Sequence, residues 1–296
     1  MIIDSHAHYA YPTFEGEFSY LSERNHEYQI DRGTREMLFA EMRANGIVGL
    51  IEPSIAFDAI EKQLSVADNQ KEMMWTAIGV HPTRCIRTDW KDRKALKAYA
   101  ERERIIAIGE TGLDYHTTRY QKSVREQKRS LQKKWFVYQI KLAHRLQLPL
   151  VLHIREADED TLKILTKYRK KLHGGVVHCF RGNHLLAEKY INLGFAIGIG
   201  GKIFCKEDEA ALADTVRNIP LSSMLIETDA PFVLPDLSED FCSKKKKSKL
   251  RNSSLILHSV IRKIAELRGD VEEEVENVLF YNTLHVFGLN EKDIHL

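Results

Sequence analysis

The chain has 296 residues, of which 43% are hydrophobic and 29% charged, and its formal net charge is +2. These values are typical of a soluble globular protein with a full core, and they exclude a polybasic nucleic-acid binder, so any attraction for phosphate must be local. Four scattered cysteines without a CxxC pair exclude a disulfide framework, and no signal peptide or apolar run of about 18 residues is recognisable. We therefore expect a cytoplasmic protein that does not span a membrane.

The chain starts with a short apolar strand that runs into two histidines. Met1-Ile2-Ile3 is followed by Asp4-Ser5-His6-Ala7-His8. Residues two apart on an extended strand point to the same side, so His6 and His8 could form half of a metal site or be only polar residues at a strand end. Residues 9–33 are rich in aromatic side chains and show little periodicity. We predict an inserted loop over the end of the fold that carries the histidines, or a surface excursion that covers this end.

Beyond residue 33, helical periodicity alternates with short apolar segments. The predicted strands lie at residues 1–3, 47–51, 76–80, 105–109, 149–152, 175–177, 195–199 and 224–227. The first helix lies between Thr34, a candidate N-cap, and Gly46, a candidate C′ residue. Further helices are predicted at residues 60–67, 91–104, 126–146, 157–172, 207–217, 255–268 and 271–286, with a short one before residue 195.

This alternation predicts the fold class. Strands that are apolar on both faces are typical of a parallel sheet covered by helices, and eight of them are the number in a (β/α)8 TIM barrel. A doubly wound open sheet is the alternative, but no Gly-rich phosphate turn follows the first strand. No repeat or low-complexity linker divides the chain, so we predict one domain over residues 1–296.

Polar residues follow the ends of most predicted strands. The candidates are His6, His8, His81, Glu110, His153, His178 and Asp229. In a barrel, the carboxyl ends of the strands meet at one mouth. Each residue alone could be a hydrogen-bonded core histidine or a helix cap. Together they would carry a desolvation cost that a cation relieves, and imidazole and carboxylate ligands suit Zn, Mn, Fe, Co or, less well, Mg. The number of ligands favours two ions bridged by a carboxylate.

The motifs around these residues resemble those of the TatD-related metal-dependent deoxyribonucleases, a branch of the amidohydrolase-like metallohydrolases. The matching segments, in the order of the family, are Asp4-Ser5-His6-Ala7-His8, Gly79-Val80-His81-Pro82, Gly109-Glu110-Thr111-Gly112-Leu113-Asp114-Tyr115, His153-Ile154-Arg155-Glu156-Ala157, His178-Cys179-Phe180-Arg181-Gly182 and Glu227-Thr228-Asp229-Ala230-Pro231. The resemblance covers the chain from about Asp4 to Gly288. The third and last segments are the most specific.

The resemblance implies a (β/α)8 barrel that hydrolyses phosphodiester bonds and removes nucleotides from the 3′ ends of DNA, mostly single-stranded. It implies two divalent cations, with Mg²⁺ or Mn²⁺ for activity and Zn²⁺ or a similar ion as an alternative bound metal. The ligands carried over to this sequence are His6, His8, Glu110, His153, His178 and Asp229. Glu110 would bridge the ions, Asp229 would act as general base toward a metal-activated water, and His81 and Arg155 would contact the scissile phosphate.

The chain departs from the family pattern at several positions, which put the choice of substrate in doubt. Arg181 adds a positive charge that either binds phosphate or pairs with a carboxylate on the rim. The segment 243–251, predicted as a basic loop, contains Lys244-Lys245-Lys246-Lys247, which either attracts a nucleic-acid backbone or is a solvated loop. The aromatic residues Tyr9, Tyr11 and Phe232 could stack unpaired bases or pack in the core.

Two other functions remain open at this stage. The same metal site could serve an amidohydrolase-like hydrolase of a small-molecule ester, amide or nucleotide, because function depends on the site and its loops. A non-enzymatic scaffold is the other alternative, although the intact set of ligands argues against it. DNA is the expected partner, and no obligate protein partner is evident from the sequence.

Overall fold

The structure is a computed structural model, which describes residues 1–116 and 122–294. Its strands in chain order are β1 (Ile2–Asp4), β2 (Phe18–Arg24), β3 (Glu27–Gly33), β4 (Ile47–Pro53), β5 (Met74–Ala77), β6 (Ile105–Asp114), β7 (Leu150–Arg155), β8 (Gly175–His178), β9 (Phe195–Ile199), β10 (Met224–Ile226) and β11 (Leu250–Arg251). Eight of them form a sheet in the order β1-β4-β5-β6-β7-β8-β9-β10, and all its neighbouring pairs are parallel.

The two edge strands of this sheet meet and close it into a barrel. The Ser5 N–H donates to the Ile226 carbonyl at 3.0 Å, and the Asp229 N–H donates to the His6 carbonyl at 2.9 Å. The interior is packed. Seven successive strands each place one side chain in a single buried cluster with Phe287: Ile51, Ala77, Ala107, Val151, Val176, Ala196 and Leu225. Only inward-pointing side chains of different strands can meet in this way. The predicted TIM-barrel fold is therefore confirmed.

Helices cover the outside of the barrel. In chain order they are α1 (Arg35–Ala44), α2 (Ile60–Asp68), α3 (Arg93–Ala100), α4 (Lys122–Leu146), α5 (Asp158–Lys167), α6 (His184–Ile191), α7 (Glu209–Asn218), α8 (Lys244–Lys247), α9 (Leu257–Arg268) and α10 (Glu272–Phe287). The Thr34 hydroxyl caps α1 by accepting from the Met37 N–H, and Gly46 follows its end at φ +73°, as predicted. None of the helices in the described residues has both the length and the apolarity to cross a bilayer.

The segment 9–33 is not a long loop, so that prediction is wrong. Apart from a short 3-10 turn at Pro12–Phe14, it forms the antiparallel hairpin of β2 and β3. Asn25 and His26 make the two-residue turn, both with positive φ, which suits a hairpin. Phe18 and Tyr20 anchor β2 in the main core.

The basic segment 243–251 is also more regular than predicted. Lys244–Lys247 form the single helical turn α8, and β11 adds to the free side of β2 as a third strand. Lys244 pairs with Glu239 at 3.1 Å, and Lys247 donates to the Pro235 carbonyl at 3.4 Å.

Strand β6 continues to Asp114, five residues beyond its predicted end. The continuation pairs with β7, with Gly112 opposite His153. A Cβ atom at Gly112 would lie 2.1 Å from the His153 carbonyl oxygen, so glycine permits this close approach. Because of the extension, both Glu110 and Asp114 lie beside β7.

Two glutamines of α4 hold the backbone next to the barrel mouth. The Gln139 side chain accepts from the Val80 N–H at 2.7 Å and donates to the Val80 carbonyl at 3.2 Å. In the same way, the Gln132 side chain accepts from the Asp114 N–H at 3.0 Å and donates to the Asp114 carbonyl at 2.9 Å. Each amide replaces the hydrogen bonds that a neighbouring strand would give. The segment that leads into His81 is therefore fixed by a helix side chain.

We expect Gln139→Leu to lower the free energy of unfolding by about 1–3 kcal/mol, because it leaves the buried Val80 N–H and carbonyl without partners. Urea denaturation measures this loss. The matched control is Gln127→Leu, the same substitution at an exposed position of α4. Equal stability of the two variants would contradict the bracing role of Gln139.

Candidate metal centre

The six residues predicted as metal ligands meet at the carboxyl ends of the barrel strands. His6 and His8 follow β1, Asp229 follows β10, and His153 and His178 lie near the ends of β7 and β8. Glu110 lies within β6 at the middle of the group, and its side chain is 3% exposed. The barrel thus brings together residues up to 223 positions apart in sequence, His6 and Asp229 being the extremes.

One oxygen of Glu110 faces the histidines of β1. Glu110 Oε2 lies 3.8 Å from His6 Nε2 and 3.6 Å from His8 Nε2. Asp229 approaches the same two rings, with Oδ1 3.3 Å from His8 Nε2 and 3.8 Å from His6 Nε2. These two carboxylates and two imidazoles form the first group of donors.

The other oxygen of Glu110 faces a different set of rings. Glu110 Oε1 lies 3.2 Å from His153 Nδ1, 3.4 Å from His178 Nε2 and 3.6 Å from His81 Nε2. The carboxylate therefore stands between two groups of nitrogen donors and presents one oxygen to each.

Carboxylates behind the rings fix the orientation of His153 and His178. Asp114 Oδ2 lies 3.1 Å from His153 Nε2, and Glu227 Oε1 lies 3.4 Å from His178 Nδ1. An ionised carboxylate can only accept, so in the neutral His153 ring the proton lies on Nε2, and the nearby Glu227 favours the proton of the neutral His178 ring on Nδ1. The nitrogen that faces Glu110 then carries a lone pair, which is the form that binds a cation.

His8 is oriented in the same way by a backbone group. Its Nδ1 lies 3.1 Å from the Pro53 carbonyl, which can only accept, so Nε2 carries the lone pair in the neutral ring. His8 Nε2 is 3.1 Å from His6 Nε2, and the buried His6 Nδ1 has no hydrogen-bond partner among the described residues. Two ring nitrogens facing each other at this distance, beside two carboxylates, form a donor set that could hold a divalent cation.

His81 has the opposite tautomer. The Thr83 N–H donates to His81 Nδ1 at 3.1 Å, so the neutral ring carries its proton on Nε2, which faces Glu110. Burial and the neighbouring His153 lower the pKa of His81 to about 3, which keeps the ring neutral. His81 therefore offers a hydrogen-bond donor to the centre, although its ring also lies close enough to be a ligand.

The pKa values in the centre reflect its crowded charges. Burial raises the pKa of Glu110, but the surrounding histidines, led by His81 and His6, outweigh it and hold the pKa well below its usual range. Burial lowers the pKa of His8 and His153, but hydrogen bonds that the rings donate to the Asp229 and Asp114 carboxylates respectively raise both to about 9. The central carboxylate is thus ionised, as a cation requires.

Two acidic residues at the centre were missed by the sequence analysis. Asp114 and Glu227 stand inside the quoted motifs, but no role was assigned to them. Asp114 was missed because the strand was predicted to end before it. Glu227 is 1% exposed, accepts from the Cys179 N–H, and has its second oxygen, Oε2, without a hydrogen-bond partner in the described part of the chain.

A third acidic residue, Asp4, supports the centre from behind. Its carboxylate accepts from the His6 N–H at 3.1 Å, from the Thr228 hydroxyl at 2.6 Å and from the Ser254 hydroxyl at 2.7 Å. Asp4 thereby joins the two strand ends that carry His6 and Asp229.

The predicted phosphate-binding arginines lie at the rim. Arg155 and Arg181 both line a cavity of about 400 Å³ that also includes Ile154 and Phe180. Arg181 donates to Asp208 at 2.8 Å, so the rim pairing considered from the sequence is present. Arg155 is exposed and forms no ion pair within residues 1–116 and 122–294.

Of the three aromatic residues considered for base stacking, one is buried in the core and two are partly exposed. Tyr9 is fully buried and its hydroxyl is hydrogen-bonded to Ser254, so of the two alternatives left open for it the structure shows core packing. Tyr11 is half-buried and Phe232 is 40% exposed, and their ring centroids lie 5.4 Å apart.

Comparison with known proteins agrees with this geometry. The family model described as TatD related DNase matches residues 3–288. The chain is 30% identical to "Uncharacterized metal-dependent hydrolase YabD" of Bacillus subtilis, over 98% of this chain and 100% of that protein. It is 31% identical to "3'-5' ssDNA/RNA exonuclease TatD" of a Rahnella species, over 89% and 95%.

Solved structures give the same result. The crystal structure of YjjV, a TatD homologue from Escherichia coli, superimposes with a TM-score of 0.80 at 26% identity and covers 98% of both chains. A TatD family hydrolase from Entamoeba histolytica shares the fold with a TM-score of 0.76. The resemblance found in the sequence motifs is confirmed, and the chain belongs to the TatD-related DNase family of metal-dependent hydrolases.

Proposed function

We propose that this protein is a 3′–5′ exonuclease that hydrolyses the phosphodiester bonds of single-stranded DNA with the help of two divalent cations, Mg²⁺ or Mn²⁺. The observation that carries the proposal is the position of Glu110 between two groups of donors, one oxygen toward each. That is the arrangement of a carboxylate bridging two ions. The name of the Rahnella relative, an exonuclease for single-stranded DNA and RNA, supports the choice of substrate.

The distances from the two Glu110 oxygens support a division of the ligands between two ions. His6, His8 and Asp229 would hold one ion, His153 and His178 the other, and Glu110 would bridge them. Divalent cations bound there supply Lewis acidity that activates water and neutralises charge on a phosphate.

The side chains around the ions have separate roles in the hydrolysis. Asp229 has one oxygen toward His8, while Oδ2 makes no hydrogen bond in the described residues, so Asp229 is placed to take a proton as general base. His81 donates its Nε2–H to a phosphoryl oxygen, because its tautomer is fixed by Thr83. Arg155, which has no carboxylate partner among residues 1–116 and 122–294, binds a second phosphoryl oxygen at the rim.

Asp114 and Glu227 act behind the ligands rather than on the substrate. Asp114 accepts from the far nitrogen of His153, and Glu227 lies 3.4 Å from the far nitrogen of His178, so each favours the ring orientation that turns the other nitrogen toward Glu110. Losses of such partners typically weaken metal affinity or activity about 10- to 100-fold.

Release of mononucleotides from 3′-labelled single-stranded DNA tests the function. We expect release with Mg²⁺ or Mn²⁺ but not with EDTA, and we expect a strand blocked by a 3′-terminal hairpin duplex to be degraded more slowly. The unblocked single strand, labelled instead at its 5′ end, should be shortened stepwise from its 3′ end. Protein that contains metal by elemental analysis but releases no nucleotide from any strand would overturn the proposal in favour of a small-molecule ester or amide.

A further inference from the structure

A cavity opens beside the metal centre, between the turn after β1 and the segment after β4. Its volume is about 310 Å³, within the range of sites for small ligands. Its walls are mainly carbon and include Tyr11, Pro53, Ile55 and Ala56. His8 forms part of the inner wall, so the cavity and the metal centre share a ligand.

Aromatic rings stand at the junction of the cavity and the centre. Phe232 follows Asp229 by three residues and lies 6.0 Å from the His8 ring and 5.4 Å from the Tyr11 ring, edge-to-face in both pairs. Phe232 remains 40% exposed beside a polar centre. A flat ligand between these rings and the apolar wall would cover the exposed face of Phe232.

The cavity wall also contains a cation that has no partner in the described part of the chain. Arg84 is half-buried in its wall, and within the described residues its guanidinium has neither a hydrogen bond nor an ion pair. It ends the short turn Pro82–Arg84 that starts next to His81, so it is held close to the centre. Lys62, the other cation in the wall, is already paired with Glu15. Because this guanidinium has no acceptor among the described residues, its N–H groups are free to donate to a ligand in the cavity.

We propose that this cavity binds the terminal nucleobase of the strand being degraded. The inference rests on the proposed nuclease function and deepens it. In this arrangement the scissile phosphate is at the metal centre and the nucleoside part of the released nucleotide lies on the side of His8. Its base enters the cavity against Tyr11, next to Phe232, whose ring contacts both Tyr11 and His8. Arg84 donates to acceptor atoms on the edge of the base, as arginine does to O6 and N7 of guanine. Since the cavity takes one base, the end of the strand must be unpaired.

The test compares two single strands that differ only at the 3′ end, one with a normal nucleotide and one with an abasic tetrahydrofuran residue. We divide the kcat/KM of the normal strand by that of the abasic strand. A substitution that changes phosphodiester hydrolysis of both strands equally leaves this ratio unchanged. We expect a ratio of about ten or more for the wild type, because stacking and hydrogen bonding to a base contribute on this scale. In Phe232→Ala and Arg84→Ala the kcat/KM ratio of the normal to the abasic strand should fall toward one, mainly because KM for the normal strand rises. Arg87→Ala, which removes an exposed arginine just beyond the same turn, should keep the wild-type ratio.

A second comparison separates the roles of the two side chains. The wild type should release a terminal guanosine nucleotide faster than a terminal adenosine nucleotide, Arg84→Ala should lose this preference, and Phe232→Ala should retain it. A wild-type ratio near one for normal against abasic ends, or unchanged ratios in both variants, would overturn the proposal while leaving the nuclease function intact. Hydrolysis of bis(4-nitrophenyl) phosphate without degradation of any strand would instead show that the nuclease function itself is wrong, and this inference with it.

Discussion

Replacing Glu110 with glutamine is expected to reduce hydrolysis at least about a thousandfold, a loss of about 4 kcal/mol of transition-state stabilisation. The wild-type carboxylate faces His6 and His8 with one oxygen and His153 and His178 with the other. In the amide, one side becomes an NH2 group that cannot bind a cation, and the negative charge between the two groups is gone. Metal content should therefore fall together with activity.

Elemental analysis of the purified variant and release of label from 3′-labelled single-stranded DNA measure the two losses. The control is Glu159→Gln, which makes the same change on a carboxylate that is 84% exposed on α5. It should retain wild-type metal content and turnover. A Glu110→Gln protein that keeps its metal and its activity would exclude a bridging role.

Replacing Asp229 with asparagine is expected to lower kcat by about 10²–10⁴-fold with little change in the fold. The backbone N–H of residue 229 bonds to the His6 carbonyl whatever the side chain, so the turn after β10 should remain in place. The amide oxygen can still face His8, which favours retention of part of the metal. The amide cannot accept a proton, so chemistry should fail more than binding does.

Single-turnover kinetics at saturating enzyme separate the chemical step from substrate binding, and a thermal melt reports the fold. Asp240→Asn, an exposed position in the same loop after β10, provides the comparison and should turn over normally. Turnover like the wild type in the Asp229 variant would remove this residue from the role of base, while the metal assignment would stand on the Glu110 experiment.

The barrel could be predicted because its strands are apolar on both faces and alternate with helices. The positions of the seven candidate polar residues followed from this topology, since parallel strands of a barrel end at one mouth. The predictions that failed were the end of β6 and the structure of residues 9–33. Both depend on contacts between segments that are distant in the sequence, and such contacts leave no local sequence pattern. Strand β6 reaches Asp114 only because Gly112 lets it pass close to His153, and β2 of the hairpin is completed by β11, more than 220 residues later.

The roles of individual side chains were harder to predict than the fold, because they depend on contacts that form only in the folded protein. The sequence does not show the tautomers of His81 and His153, because Thr83 places the proton of one ring toward the centre and Asp114 draws the proton of the other away. Tyr9 and Tyr11 are equally aromatic in sequence, but only Tyr9 finds a buried hydroxyl partner, Ser254.

The closure of the barrel has a consequence for how the protein is made. The first and last strands of the barrel meet through Ser5 and Ile226, and Asp4 bonds Ser254 across 250 positions of sequence. During synthesis, His6 and His8 leave the ribosome long before Asp229 exists, so the donor group proposed for the first ion stays incomplete until almost the whole chain has emerged. Contacts so distant in sequence carry a large loop-closure cost in folding. An ion that needs this donor group would therefore bind at the end of folding rather than to the nascent chain.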